Sequence, residues 1–416
     1  MTGKSTIIIG GGLSGLTCGI ALAKRGQRVT ILAGGQSTLS LFNGGSMELL
    51  GCVDGKPVTA PLEAIASLPQ QHPYQKIGSQ RIGQLAEQAK ELLADAGVIM
   101  DGNATANHLR ISPMGVAKPA WLTLNEYFRL DDLSQLNSKR LALMAIRGYF
   151  DQPNSMLAQG LRDLGFDVDL IEFTTTDITA LRRSPTEMRA TTLAKRLSGT
   201  SALRRIAEQA NTLATDADIV LLPGVFGQND NDSIMTLMSL VNKPLKLVAT
   251  LPPSVAGMRI HAMLMHYFMM LGGAYITGEP ATGGDIQDGK LLSINTVKSG
   301  TSPLTADNYV LATGSFVSRG LAADSQRIRE TVFDLDVDAD EDRERWTRFN
   351  VLEPQDYWNY GVTTDEHLCC FKQGQPVSNL HAIGSVLSGH NAVKMGDGTG
   401  VSMLTALAVA QDIIDG

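Results

Sequence analysis

Ser5-Thr-Ile-Ile-Ile-Gly10-Gly-Gly12-Leu-Ser-Gly15-Leu-Thr-Cys-Gly19 reads as a strand entering a glycine turn and then a helix. The β-branched run before Gly10 has the character of a buried parallel strand, and Leu13 to Arg25 carries helical spacing. In this spacing Gly10 permits the tight turn, Gly12 lets the backbone approach a pyrophosphate, and Gly15 lets the helix lie close on the strand. The phosphate then faces N–H groups at a helix N-terminus. Gly26-Gln-Arg-Val-Thr-Ile-Leu supplies the helix stop and a second parallel strand, which completes a dinucleotide-binding unit. Lys4 and the apolar stretch to Ala23 superficially resemble a secretory signal, but five glycines interrupt it and a matching strand follows.

Dinucleotide binders place an Asp or Glu at the end of the second strand to bond the adenosine ribose. Here that place falls near Ala33 and is followed by Gly34-Gly35-Gln36. Either the ribose is held otherwise, or the ligand lacks an adenosine half. The following Ser37 to Ser46 stretch, with Gly44 and Gly45, is a candidate ligand loop leading into a helix.

The chain has 416 residues, 43% hydrophobic and 19% charged, as expected of a globular protein of two or three domains' worth of core. A net charge of −7 argues against a nucleic-acid partner. Four cysteines, Cys18, Cys52, Cys369 and Cys370, form no CxxC pair, so neither an iron–sulfur cluster nor structural zinc is expected, and the adjacent pair reads as two thiols in a reducing cytoplasm. The apolar stretches Met258 to Tyr275 and Val401 to Ile414 fail as membrane spans, the first through its Arg and His residues and the second through its length.

The expected fold is α/β: a Rossmann-like flavin-binding fold with a parallel sheet and a β-meander, carrying an inserted α/β cap. Residues 1–52, 255–325 and 358–416 are assigned to the flavin domain, and 53–254 with 326–357 to the cap. Within the cap, Ser79 to Gly97 reads as an amphipathic helix, Arg110 to Thr123 as irregular, and Lys139 to Phe173 as strand, helix, strand, with two further buried strands at 218–222 and 245–250. The first fold resumes with a helix over 257–271 and strands at 274–277, 290–298 and 309–314, the last ending in Ala-Thr313-Gly314. Gly384 and Ser385 then lead through Gly398 and Gly400 into a last helix, whose positive end suits the N1/C2=O side of a reduced flavin.

The chain resembles, nearly end to end, the B-subunit family of anaerobic glycerol-3-phosphate dehydrogenases. The segments that carry the resemblance are Gly34 to Ser37, Thr186 to Ala190, Thr250-Leu-Pro-Pro-Ser-Val-Ala-Gly-Met-Arg259, Leu311 to Phe316, Phe333 to Val337, Gly361-Val-Thr-Thr-Asp-Glu366 and Ala382 to Val386. The resemblance implies a flavoprotein assigned FMN, with FAD as the alternative. It further implies an FAD-bearing A subunit and an iron–sulfur C subunit that docks this cytoplasmic chain on the inner membrane. The complex so implied oxidises sn-glycerol 3-phosphate to dihydroxyacetone phosphate and passes electrons to menaquinone. Two further readings stay open, a non-catalytic electron-relay or assembly subunit and a stand-alone FAD oxidoreductase of fumarate-reductase type.

Flavin-linked alcohol oxidation needs a proton acceptor and cations for the phosphate. His390 and Lys394 beside the last flavin motif, Arg259 and His261 after Pro252-Pro253, and Arg319 after the Ala-Thr-Gly strand are the nominated catalytic residues. Gly10, Gly12, Gly15, Ser37, Gly44, Gly45, Ser46, Thr313, Gly314, Gly384, Ser385, Gly398 and Gly400 are the expected flavin contacts. His261 and His266 are five residues apart on a helix and do not share a face, so a core role is expected for them and no metal. The acidic run from Asp334 to Glu344 reads as a solvated face.

Overall fold

The computed structural model describes residues 4–131, 139–182, 188–298 and 302–416. Thr186 and Glu187, which open one of the resemblance segments, lie outside the described residues.

The opening strand Ser5–Ile9 sits inside a six-stranded sheet. It pairs in parallel with Arg28–Ala33 on one side and Asn308–Leu311 on the other, with Ile7 opposite both Thr30 and Tyr309. Ala274–Thr277 extends the sheet past the second strand, also in parallel. Gln375–Ala382 extends the other side in parallel, and Cys369–Lys372 closes that edge antiparallel. Ile8 is fully buried, and strands enclosed in this way read as unbroken apolar runs. The helix Leu13–Ala23 packs against Val255–Met270 and against the final helix Gly398–Asp415. Ala281–Gln287 and Lys290–Thr296 form a hairpin in the place of the expected meander. Its turn is Asp288-Gly289 with both φ positive, the geometry that Asp-Gly favours between twisted strands.

A second sheet lies within the insert, ordered Asp167–Phe173, Arg140–Ile146, Ile219–Pro223 and Leu245–Val248, all parallel. The expected strand, helix, strand from 139 to 173 is present, its helix spanning Asn154–Asp163.

Two expectations need correction. The Arg110 to Thr123 stretch is not irregular: His108–Ile111 pairs with Ala117–Ala120, and Leu122–Leu124 pairs with both Ser46–Met47 and Met100–Asp101. Pro113, Gly115 and Pro119 mask these strands, because Pro113-Met114-Gly115 is the hairpin's own turn, held by Gly115 N–H on Ser112 O at 2.9 Å. The Ser46 segment leads into strand rather than helix, the helix there being the short Thr38–Phe42 before it. The helix expected over 79–97 is present as Ile82–Asp95, and it packs on the final helix and on Leu13–Ala23. Residues 328–330 and 337–338 likewise pair with 321–323 and 361–362 of the flanking chain.

All four cysteines are free thiols. Burial pushes Cys18 up to about 12, and burial together with Asp365 pushes Cys369 up to about 11, so both are protonated at neutral pH.

Candidate functional site

The glycine turn is held from three sides. Gly10 has φ +121° and donates its N–H to Leu32 O at 2.9 Å; a Cβ there would meet Ala312 O at 2.1 Å. Behind the turn, His261 Nε2–H and the Tyr275 hydroxyl both donate to Gly11 O, at 2.9 and 3.0 Å. Burial lowers the His261 pKa, which leaves a neutral imidazole suited to that hydrogen bond. His261 therefore clamps the turn from behind, outside the cavity lining. A Cβ on Gly15 would stand 2.0 Å from Gly10 O, backbone against backbone. Gly15→Ala is accordingly expected to cost about 1–3 kcal/mol of stability and to loosen flavin retention, measured by denaturant unfolding and by the flavin-to-protein ratio after dialysis. Unchanged values for both would mean that the helix can stand off the strand at no cost.

A cavity of about 890 Å³ opens in front of the turn. Its wall runs from Gly10–Ser14 along Gly34–Leu39 and Asn43–Gly44 to Ser46 and Glu48, then across Ala312–Ser315 and Val317–Arg319 to Ser385 and Gly398–Thr399. Of the expected flavin contacts, Gly10, Gly12, Ser37, Gly44, Ser46, Thr313, Gly314, Ser385 and Gly398 are on this wall. Four are not. Gly15 packs as described; Gly45, at φ +89°, lies against the Tyr127 ring; Gly384, at φ +72°, lies against Ser14; and Gly400 makes room for the Tyr74 hydroxyl. Each is a glycine for packing or backbone reasons, and sequence spacing does not separate that role from ligand contact.

The nominated catalytic residues fare differently. Arg319 lies on the wall, exposed, with φ +64°. His390 is buried off the wall, its Nδ1 3.3 Å from Asp397 Oδ1. Lys394 is exposed and also off the wall, although its neighbours Ala392 and Val393 line it. Arg259 is buried at 1% exposure in an ion pair with Glu126 from the insert, so it is no free cation for a phosphate. His266 is exposed rather than in the core. Among the described residues no group of three or more His, Cys, Asp or Glu is placed to hold a metal.

Sequence reasoning missed two charged wall residues. Glu48 and Arg110 pair at 2.7 Å, Oε1 to Nη2. Glu48 is also stitched to the start of the final helix: its N–H donates to Thr399 Oγ1 at 2.6 Å, and its carbonyl accepts from Thr399 Oγ1 and from Gly400 N–H at 2.9 and 2.8 Å. Arg110 belongs to a strand hidden among turn residues, so nothing local marked it.

The wall fits a flavin. Thr313 Oγ1 is buried without a hydrogen-bond partner and lines the cavity, an unsatisfied polar atom that a ligand would satisfy. Gly12, on the wall, caps the N-terminal end of the helix Leu13–Ala23, whose first-turn N–H groups suit a phosphate, and the final helix presents its N-terminal end at Gly398 and Thr399.

Comparison with known proteins agrees. The family model described as "FAD binding domain" matches residues 5–401. The anaerobic glycerol-3-phosphate dehydrogenase B subunit of Yersinia pestis is 37% identical over 98% of this chain and 97% of its own length. Those of Pectobacterium atrosepticum and Glaesserella parasuis are 35% and 34% identical, each covering 98% of both chains. The chain thus belongs to the FAD binding domain family and, within it, to the family of anaerobic glycerol-3-phosphate dehydrogenase B subunits.

Proposed function

We propose that this chain is the flavin-dependent B subunit of an anaerobic glycerol-3-phosphate dehydrogenase, oxidising sn-glycerol 3-phosphate to dihydroxyacetone phosphate with bound FAD. The near full-length relationship to proteins of that name carries the activity. Bound flavin supplies a two-electron acceptor, while the chain binds, orients and desolvates the substrate beside it.

The shape of the cavity supports FAD over the FMN expected from Ala33. The cavity continues past the glycine turn to Gly34, Gly35 and Gln36, with Pro280 and Ala281 beside them. That is where a dinucleotide's adenosine ribose lies. Gln36, Ser37 and Thr38 offer neutral hydrogen-bonding groups on that wall in place of the missing carboxylate. Flavin released by heat and identified by chromatography is expected to be FAD; FMN alone would overturn this assignment.

The protein works in an assembly, and an FAD-bearing A subunit with an iron–sulfur C subunit is the composition proposed for it. Electrons would pass through those partners toward the quinone. No helix among the described residues is long and apolar enough to cross a membrane, and peripheral attachment through the C subunit is the proposed arrangement. The two-part division of the chain is proposed with the Ile82–Asp95 helix assigned to the flavin domain on which it packs.

Adding glycerol 3-phosphate to the purified holoprotein is expected to bleach the visible flavin band without any other subunit. Bleaching seen only after the A subunit is added would move the oxidation to that partner and leave this chain a relay.

A further inference from the structure

Three ionisable side chains line the cavity among the described residues: Glu48, Arg110 and Arg319. Arg319 is exposed on the polypeptide turn after Gly314, whereas Glu48 and Arg110 are mostly buried, at 19% and 23% side-chain exposure, beside the start of the final helix. The other candidate proton acceptors are committed elsewhere. His261 is spent on Gly11 O, and His72 and His390 both face Asp397 in the interior.

Arg110 is only partly used. Its Nη2 bonds Glu48 and its Nε is buried without a hydrogen-bond partner, so the guanidinium of this wall residue has donor capacity left beyond the pair. A guanidinium in that state suits an anionic oxygen group, which it can take through two parallel N–H bonds. Glu48 has a fixed backbone and a carboxylate facing the cavity, its Oε2 only loosely approached by Thr399 Oγ1 at 3.4 Å. An incoming phosphate that takes over Arg110 releases the Glu48 carboxylate within reach of the same ligand.

We infer that Arg110 receives the phosphate monoester of the substrate and that Glu48 accepts the proton of its secondary hydroxyl. The inference rests on the proposed function and deepens it. In the step, the carbinol O–H bond breaks with its proton passing to a Glu48 carboxylate oxygen, and the O–H electron pair becomes the second C–O bond. The C–H bond breaks with its electron pair, for which bound oxidised flavin would supply the two-electron acceptor. The Glu48 proton then returns to solvent.

The test uses purified flavin-loaded protein with the variants Arg110→Ala, Arg110→Lys and Glu48→Gln. Calorimetry measures binding of inorganic phosphate and of glycerol 3-phosphate, rapid mixing measures single-turnover bleaching, and thermal unfolding serves as the structural control. Arg110→Ala is expected to weaken both ligands at least about 30-fold, with partial recovery in Arg110→Lys. Glu48→Gln is expected to keep phosphate affinity within about 3-fold or tighten it, since Arg110 is freed, while slowing bleaching by about 10²–10⁴-fold. Lowered thermal midpoints with unchanged ligand affinity and bleaching rate would reduce the pair to a tie between a strand and the final helix, and would overturn the inference. Phosphate binding lost in Arg110→Ala, in a protein that glycerol 3-phosphate never bleaches, would overturn the proposed function and the Glu48 role while upholding the anion site.

Discussion

Arg259→Ala is expected to lower the free energy of unfolding by about 3–5 kcal/mol, the cost of leaving a buried carboxylate without its cation. Arg259 sits on the helix Val255–Met270 at 1% exposure and pairs with Glu126, itself 6% exposed, in the insert. Glu126 is held in place by its own backbone, whose carbonyl accepts from Leu247 N–H at 2.8 Å. Removing the guanidinium strands Glu126 in the interior, whereas Arg259→Met combined with Glu126→Leu removes both charges and is expected to recover more than half of the loss. Denaturant unfolding of Arg259→Ala and of the double variant decides this. A loss below about 1 kcal/mol in Arg259→Ala would show that water reaches Glu126. The folded fraction of Arg259→Ala should still be bleached by glycerol 3-phosphate at the wild-type rate, because the side chain is off the cavity wall. That result separates an ion pair from the phosphate clamp that the sequence suggested.

Asp397→Ala is expected to cost about 2–4 kcal/mol at neutral pH and to loosen the flavin. Asp397 is fully buried directly before Gly398 at the cavity; its carboxylate meets His72 Nε2 at 3.0 Å and His390 Nδ1 at 3.3 Å. The His72 tautomer is fixed from its other side, where Nδ1 accepts the Tyr74 N–H at 3.1 Å. Burial alone would raise the Asp397 pKa, but the imidazoles, His390 foremost, outweigh it and hold the carboxyl well below the usual carboxylate range. A depressed carboxyl stabilises the fold fully above its unfolded pKa of about 4 and loses that contribution as pH falls toward the folded value. The gap between wild type and Asp397→Ala should therefore narrow as the pH falls below about 4. A gap that stays constant through the acid range would mean that the carboxylate is not held by these histidines.

The two histidines nominated as catalytic illustrate what local pattern can and cannot assign. His390 lies in the loop before the final flavin helix, as the sequence says, yet it turns inward to Asp397 because an uncompensated buried carboxylate is far costlier than an imidazole that leaves the wall. His261 falls on an apolar helix, and what it touches is the carbonyl of Gly11, 250 residues away in the chain. The missing carboxylate near Ala33 is legible in the sequence, but the wall beside it also includes Pro280 and Ala281, which arrive from the far side of the insert.

The amino-acid sequence alone determined the strand, glycine turn and helix at 5–23, the strands at 274–277 and 309–314, the reading of Cys369-Cys370 as two thiols, and the family. Those features are written in short stretches: apolar periodicity fixes which face is buried, and Gly10 is needed because its φ of +121° and the nearby Ala312 O leave no room for a side chain. Only the tertiary structure decided which polar side chains meet. Glu48 finds Arg110, Glu126 finds Arg259 across 133 residues, and His72 finds Asp397 across 325. A charge withdrawn from water needs a partner in three dimensions, and no spacing along the chain says where that partner will be.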